Sequence, residues 1–286
     1  MSSREFGFSE YTTPMWGFEE DLTHFRAAGA ACLELCEAKL KPEILDRQLA
    51  ALKESGLRVS SIQPTVPAFF DVKLSPTGGT LERNRQALYK TVSVAGQYSL
   101  GDRLNTVTGV IPGVTWPEAI STIAREYREL CKRAKEFGIK VMIEPLTPIY
   151  CGLDSMISSL DQAADLINAV GEENFGMTLD VYHVWQQEEV YDQIKRYASR
   201  IWTVHINDWK PVRCASDRRV PGEGDIPLGK LFHALEQAGY DNGFVVEIFS
   251  DWLLPDSLWR QPMDEVLRRC KAGFDKAWEN PQYYKV

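Results

Sequence analysis

The chain is 286 residues long, enough for one large domain or two average ones, and its 44% hydrophobic and 25% charged residues exclude a disordered or membrane-embedded class. No apolar run approaches the roughly 20 residues that span a bilayer. A net charge of −8 argues against a nucleic-acid groove, which needs clustered Lys and Arg, and favours a small neutral or metal-bound substrate. The start, Met1-Ser2-Ser3-Arg4-Glu5-Phe6, lacks the apolar core and cleavage pattern of a secretory signal, so a cytoplasmic protein is expected. Cys32, Cys36, Cys131, Cys151, Cys214 and Cys270 form no Cys-x-x-Cys pair and are expected to be buried free thiols.

Strand-like apolar runs alternate with amphipathic stretches from end to end, the signature of repeated βα units around a parallel sheet. The first predicted strand, 5–9, precedes a helix over 18–28 that stops at Gly29. The second, 31–35, precedes a helix over 42–54 that opens on Pro42, allowed in a first helical turn, and closes at Gly56. The third, 58–63, leads through residues 64–80, with the breaker Pro76-Thr77-Gly78-Gly79, to a helix over 81–98. After the fourth, 105–109, a helix over 117–137 sets Ile120, Ile123, Ala124, Tyr127, Leu130 and Ala134 at helical spacing and ends at Gly138. The fifth, 140–144, and sixth, 176–180, are followed by helices over 158–170 and 188–198. The seventh, 202–206, and eighth, 244–249, are followed by helices over 228–238 and 262–278. The fifth, seventh and eighth strands read as continuous apolar runs, as buried parallel strands should. No linker interrupts the pattern, so a single (β/α)8 TIM barrel over residues 1–286 is expected. The longer excursions, 64–80, 145–156, 207–227 and 250–261, all follow strands, where barrel enzymes build their sites.

Four of these strands end on a residue that can hold a metal. Glu144 closes Val141-Met142-Ile143 and is followed by Pro145, so the carboxylate projects where the strand stops. Asp180 closes Met177-Thr178-Leu179, and as an isolated residue it reads equally well as a helix cap. His205 closes Trp202-Thr203-Val204, where a solitary imidazole is more often merely hydrogen-bonded. Glu247 lies in Val245-Val246-Glu247-Ile248-Phe249, where a charge is costly to bury unless it is paired or metal-bound. Together, three carboxylates and one imidazole favour a hard or borderline divalent ion, Mn²⁺ first, with Mg²⁺ or Co²⁺ as alternatives and a closed structural zinc site disfavoured.

The segments Met142-Ile143-Glu144, Leu179-Asp180-Val181-Tyr182-His183, Val204-His205-Ile206-Asn207-Asp208, Arg218-Arg219-Val220-Pro221-Gly222-Glu223-Gly224 and Val246-Glu247 resemble the xylose-isomerase-like TIM-barrel superfamily. The likeness is strongest to its sugar-epimerase branch, which includes the D-tagatose and D-psicose 3-epimerases. It is dense in the second half of the chain and architectural in the first. The resemblance implies Glu144, Asp180, His205 and Glu247 as metal ligands, Glu144 and Glu247 as the acid/base pair, and His183 and Arg218 as contacts to substrate oxygens. One position departs from it: a second Glu of those epimerases, which grips the sugar, is replaced by Tyr150, and the 207–221 loop is longer than the epimerase pattern.

Such a site would remove a proton beside a carbonyl and stabilise the resulting enediolate. Return of the proton on the other face gives epimerisation, and return on the neighbouring carbon gives isomerisation. Expulsion of a group β to the carbanion makes a lyase instead, either a dehydratase or a cleaver of an oxidised glycoside. The expected activity is therefore a metal-dependent sugar isomerase or epimerase, with a lyase and a non-catalytic sugar-binding or partner subunit as alternatives. A small carbohydrate-type substrate is expected, with a phosphosugar disfavoured because Gly222-Glu223-Gly224 carries an acid. Phe8, Tyr11, Trp16, Phe69, Phe70, Trp209 and Trp252 are candidate pocket walls, each more readily read as packing. The apolar run Trp252-Leu253-Leu254-Pro255 suggests a lid or the contact of a homo-oligomer.

Overall fold

Eight parallel strands close on themselves in a computed structural model that describes residues 4–73, 79–211, 214 and 217–280. The start Met1-Ser2-Ser3 and Pro76-Thr77-Gly78 of the expected breaker lie outside these residues. The strands are β1 (Phe6–Ser9), β2 (Cys32–Cys36), β3 (Arg58–Gln63), β4 (Arg103–Thr106), β5 (Lys140–Ile143), β6 (Phe175–Asp180), β7 (Ile201–Ile206) and β8 (Phe244–Val246). They run in chain order, and β1 pairs with both β2 and β8, so the barrel has no free edge.

Around them lie α1 (Phe18–Ala27), α2 (Leu45–Ser55), α3 (Leu81–Tyr98), α4 (Trp116–Lys135), α5 (Leu160–Val170), α6 (Val181–Val184), α7 (Val190–Tyr197), α8 (Leu228–Gln237) and α9 (Met263–Glu279). Their termini follow capping chemistry: the Thr115 and Glu118 side chains form a capping box on α4, and Gly56 ends α2 at φ +68°. None of the helices described is long and apolar enough to cross a membrane.

Strand alternation sorts the residues into two environments. One face of the sheet, with Phe8, Leu33, Leu35, Ile62, Leu104, Val141, Ile143, Leu179, Val204 and Val246, joins the helices in one apolar core. The alternate residues, including Glu34, Ser61, Gln63, Asn105, Thr178, Asp180 and His205, are buried and polar. Barrel interiors are usually filled by branched aliphatic side chains, so a polar interior toward the carboxyl ends of the strands marks this rim as chemical rather than structural.

Several boundaries shift from the sequence reading for local reasons. β8 stops at Val246 because the Ile248 N–H is taken by the Thr12 hydroxyl at 3.1 Å instead of a neighbouring strand. Residues 107–109, expected in the fourth strand, bond to loops instead, Val107 N–H to Pro67 O and Gly109 N–H to Asp154 O. Pro42–Ile44 forms a separate 3₁₀ turn ahead of α2. The six cysteines are free thiols, but Cys151 is exposed and Cys214 only half-buried, against the expectation of burial.

Candidate active site

Asp180 and His205 are register partners on β6 and β7, and Glu144 and Glu247 are the first residues past β5 and β8. The Glu144 N–H reaches Thr106 O at 2.9 Å and the Glu247 N–H reaches Ile206 O at 3.0 Å, so each carboxylate begins from a fixed backbone. One ligand atom from each of the four residues lies within 4.8 Å of the others, and all four are buried. Asp180 is both cap and site residue: its Oδ1 accepts from the Tyr182 N–H at the start of α6, and its Oδ2 faces Arg218.

Arg218 and His183, far apart in sequence, meet at the same place. Arg218 Nη1 lies 2.9 Å from Asp180 Oδ2 and 2.8 Å from Glu247 Oε2, and the guanidinium is sandwiched between the Tyr182 and Phe249 rings, each 4.9 Å away. Its loop is tied down by Asp208, which accepts the N–H groups of Trp209, Gly222, Gly224 and Ile226 at 2.8–2.9 Å. A Cβ at Gly224 would lie 2.3 Å from both Asp208 Oδ1 and Trp209 O, so only glycine fits there. The glycine-rich turn after Arg218 is thus a backbone socket for Asp208.

Hydrogen-bond logic fixes both imidazoles. The Thr147 N–H donates to His183 Nδ1 at 3.2 Å, so the ring proton sits on Nε2. Burial, reinforced by the Arg218 charge, pushes the His183 ring down to about 3, leaving it neutral near pH 7. His205 Nε2 lies 2.9 Å from Glu34 Oε1; a carboxylate only accepts, so this nitrogen carries a proton. His205 Nδ1 has no hydrogen-bond partner and stands 3.5 Å from both Glu144 Oε1 and Glu247 Oε2.

The electrostatics call for another cation. Burial pushes the Glu247 carboxyl up to about 8, against the pull of His205 and Arg218. Burial opposes a charge on His205, yet Glu34, Glu247 and Glu144 together hold its ring well above the usual range. Four buried carboxyls, Glu34, Glu144, Asp180 and Glu247, face two cationic side chains, and a buried imidazole nitrogen among them lacks a partner. A divalent ion would relieve both conditions, and three oxygens with one imidazole nitrogen suit a hard or borderline ion.

Above the cluster opens a cavity of about 290 Å³, near the lower end of ligand pockets. Glu144, Glu247, His183 and Arg218 line its floor, with Gln63, Thr65 and Asp154 as further polar groups and Tyr11, Pro67, Val72, Val107, Leu146, Tyr150 and Phe249 as walls. Tyr150, at the departure from the epimerase pattern, stands edge-on to the His183 ring with centroids 5.6 Å apart. Of the seven aromatic candidates, Tyr11 lines this cavity. Phe8 and Phe69 are core, Phe70 packs against it, Trp16 stacks on His24, Trp209 packs on Trp185, and Trp252 is exposed beside Trp259.

The sequence reading missed Glu34, Gln63, Asn105 and Asn207. Asn105 Nδ2 donates to Glu144 Oε2 at 2.8 Å, and Asn207 Nδ2 to Asp180 Oδ1 at 3.0 Å. Glu34 was findable: it interrupts Cys32-Leu33-Glu34-Leu35-Cys36 just as Glu247 interrupts its own apolar run.

Comparison with known proteins agrees with the fold. The family model described as xylose isomerase-like TIM barrel matches residues 22–270. An inosose isomerase of Halalkalibacterium halodurans is 32% identical over 126 residues, covering 42% of this chain and 43% of that protein. The match therefore spans less than half of that relative's length. A 2-oxo-tetronate isomerase of Haemophilus influenzae is 25% identical over 83% of this chain and 91% of its own. The crystal structure of an IOLI protein with a binding zinc atom superposes with a TM-score of 0.78 at 19% identity, covering 99% of this chain and 100% of that one. With a polar-cored closed barrel and a family match across most of its length, the chain belongs to the xylose isomerase-like TIM barrel family.

Proposed function

We propose that the protein is a divalent-metal-dependent isomerase or epimerase of a sugar or polyol-derived keto compound. The observation that carries this is the convergence of Glu144, Asp180, His205 and Glu247 within 4.8 Å under a cavity that two of the carboxylates line. The isomerase and epimerase names of the relatives support the reaction class.

When bound, a divalent ion, Mn²⁺ first by the donor set, would supply Lewis acidity toward a substrate carbonyl and its neighbouring oxygen. The chain's own residues divide the remaining work. Glu144 and Glu247 enter the cavity from β5 and β8, on different sides of the barrel, so one can take a proton from a carbon beside the carbonyl while the other returns one. The His183 Nε2–H lies 3.3 Å from Arg218 Nη2, and since both are donors neither satisfies the other. A substrate hydroxyl or carbonyl oxygen accepting from both would be held in place by them. The Tyr11, Leu146, Tyr150 and Phe249 walls shield the exchanging proton from bulk water and suit the apolar C–H faces of a polyol. Among the described residues that line the cavity Arg218 is the one Lys or Arg, and it is already engaged by two carboxylates, which disfavours a phosphorylated substrate.

The test is incubation with a panel of ketoses and cyclic polyol ketones in D₂O with Mn²⁺ or Zn²⁺. Uptake of one deuteron beside the carbonyl, with product and substrate of equal mass apart from that deuteron, is expected, and a chelator should abolish it. Loss of water or of an aglycone would overturn the isomerase reading in favour of a lyase. Chelator-insensitive protein without exchange would favour a binding subunit.

A further inference from the structure

We infer that Glu34, on β2, a strand that contributes no ligand, is the positioning residue for the metal-binding imidazole: it fixes the His205 tautomer and aims Nδ1 at the three carboxylates. The inference rests on the metal reading of the site. Glu34 is fully buried, and its Oε1 faces His205 Nε2 at 2.9 Å across the barrel interior, from β2 to β7. A buried carboxylate with no other duty would be a net cost to the fold, so its retention against an imidazole needs a reason.

Glu34 is itself held rigidly. The Ser61 hydroxyl donates to its Oε1 at 2.7 Å and Gln63 Nε2 to its Oε2 at 3.2 Å, both from β3. Gln63 Nε2 also lies 3.2 Å from Glu247 Oε1, so one amide spans the carboxylate that orients the imidazole and a ligand carboxylate at the cavity floor. The ring of His205 therefore cannot rotate without breaking a charge-assisted bond whose acceptor is pinned from two sides. With Nε2 committed, the unpartnered Nδ1 is the nitrogen left to bind, and it is the one that faces Glu144 and Glu247. A carboxylate on the far side of a ligating imidazole also makes the ring a stronger donor.

Chelator-stripped wild type, Glu34→Gln and Glu34→Ala are titrated with Mn²⁺ by calorimetry and with Co²⁺ by visible absorption. The His205 ring nitrogens are followed by ¹⁵N NMR in the proteins loaded with diamagnetic Zn²⁺, where a ligating ring keeps a single proton. Glu34→Ala should weaken metal affinity by about 10- to 100-fold, alter the Co²⁺ bands and mix the tautomers. Glu34→Gln, which keeps an acceptor but not the charge, should fall between and retain the Nε2–H tautomer. If Glu34→Ala does not fold, the near-isosteric Gln variant decides by the same affinity and band readouts. Wild-type affinity, bands and tautomer in a folded variant would overturn the role of Glu34 while leaving the metal site standing. A wild type that binds neither ion would overturn both.

Discussion

The two halves of the barrel divide the site between them. Among the described residues the β5–β8 half supplies the four candidate ligands, together with His183 and Arg218, and the β1–β4 half supplies side chains that hold three of them. Asn105 of β4 donates to Glu144, and Glu34 of β2 accepts from His205, while Gln63 of β3 reaches Glu247. Asp180 is held from its own half, by Asn207 and Arg218, whereas Glu144, His205 and Glu247 also draw on the opposite half, because each buried charge needs donors or an opposite charge to offset its lost hydration. Closure of the barrel is what brings those donors within reach, since β2 and β7 are far apart along the sheet.

The largest effect that would break this division is expected at the carboxylates. Glu247→Gln and Glu144→Gln should each lower turnover by about 10²- to 10⁴-fold or more while circular dichroism still reports the barrel. Retained conversion of substrate to product in either variant would remove that residue from the acid/base role. Next comes Arg218→Leu, which leaves Asp180 and Glu247 without their shared cation in a buried setting. A loss of about 3–5 kcal/mol is expected in denaturant unfolding of the metal-free protein, smaller when Mn²⁺ is present. Equal losses with and without metal would mean that cation and metal do not share the same carboxylates.

A smaller effect tests the supporting half directly. Asn105→Leu removes the donor to Glu144 and the acceptor of the Thr178 hydroxyl, at a cost of about 1–3 kcal/mol. Its signature should be a fall in kcat with little change in melting temperature once metal is bound; a change confined to stability would make Asn105 mere packing.

The smallest expected effect sharpens the contrast with a buried acid of the first half outside the cluster. Burial first, then neighbouring Asp21, holds Glu10 well above its ordinary 4.5, so the folded state keeps a proton that the unfolded state releases. The stability this contributes is fully present below pH 4.5 and is lost as the pH rises through the folded value. Glu10→Gln should flatten that part of the stability profile, read in urea melts below and above pH 4.5. An unchanged slope would place the proton elsewhere.

How much could be read in advance follows the same split. Glu144, Asp180, His205 and Glu247 were legible because each ends or interrupts an apolar run at the carboxyl end of a strand, a local signal. Arg218 and His183 needed the family resemblance, since a lone Arg in a long loop and a His after an Asp carry no pattern of their own. Gln63, Asn105 and Asn207 were not legible, because amides on a strand or just past its end look alike whether they face solvent or a ligand. Trp209 and Trp252 were more readily read as packing than as pocket walls, because aromatic content says nothing about direction, and they do pack, Trp209 on Trp185 and Trp252 on Trp259.

By itself the sequence determined the alternating βα pattern, the barrel and the strand ends on which the acids fall, because hydrophobic periodicity and capping act over a few residues. Only the tertiary structure decided which polar side chains meet. His205 and Glu34 are separated by 171 positions and by the width of the barrel, and their 2.9 Å contact exists only because the sheet closes.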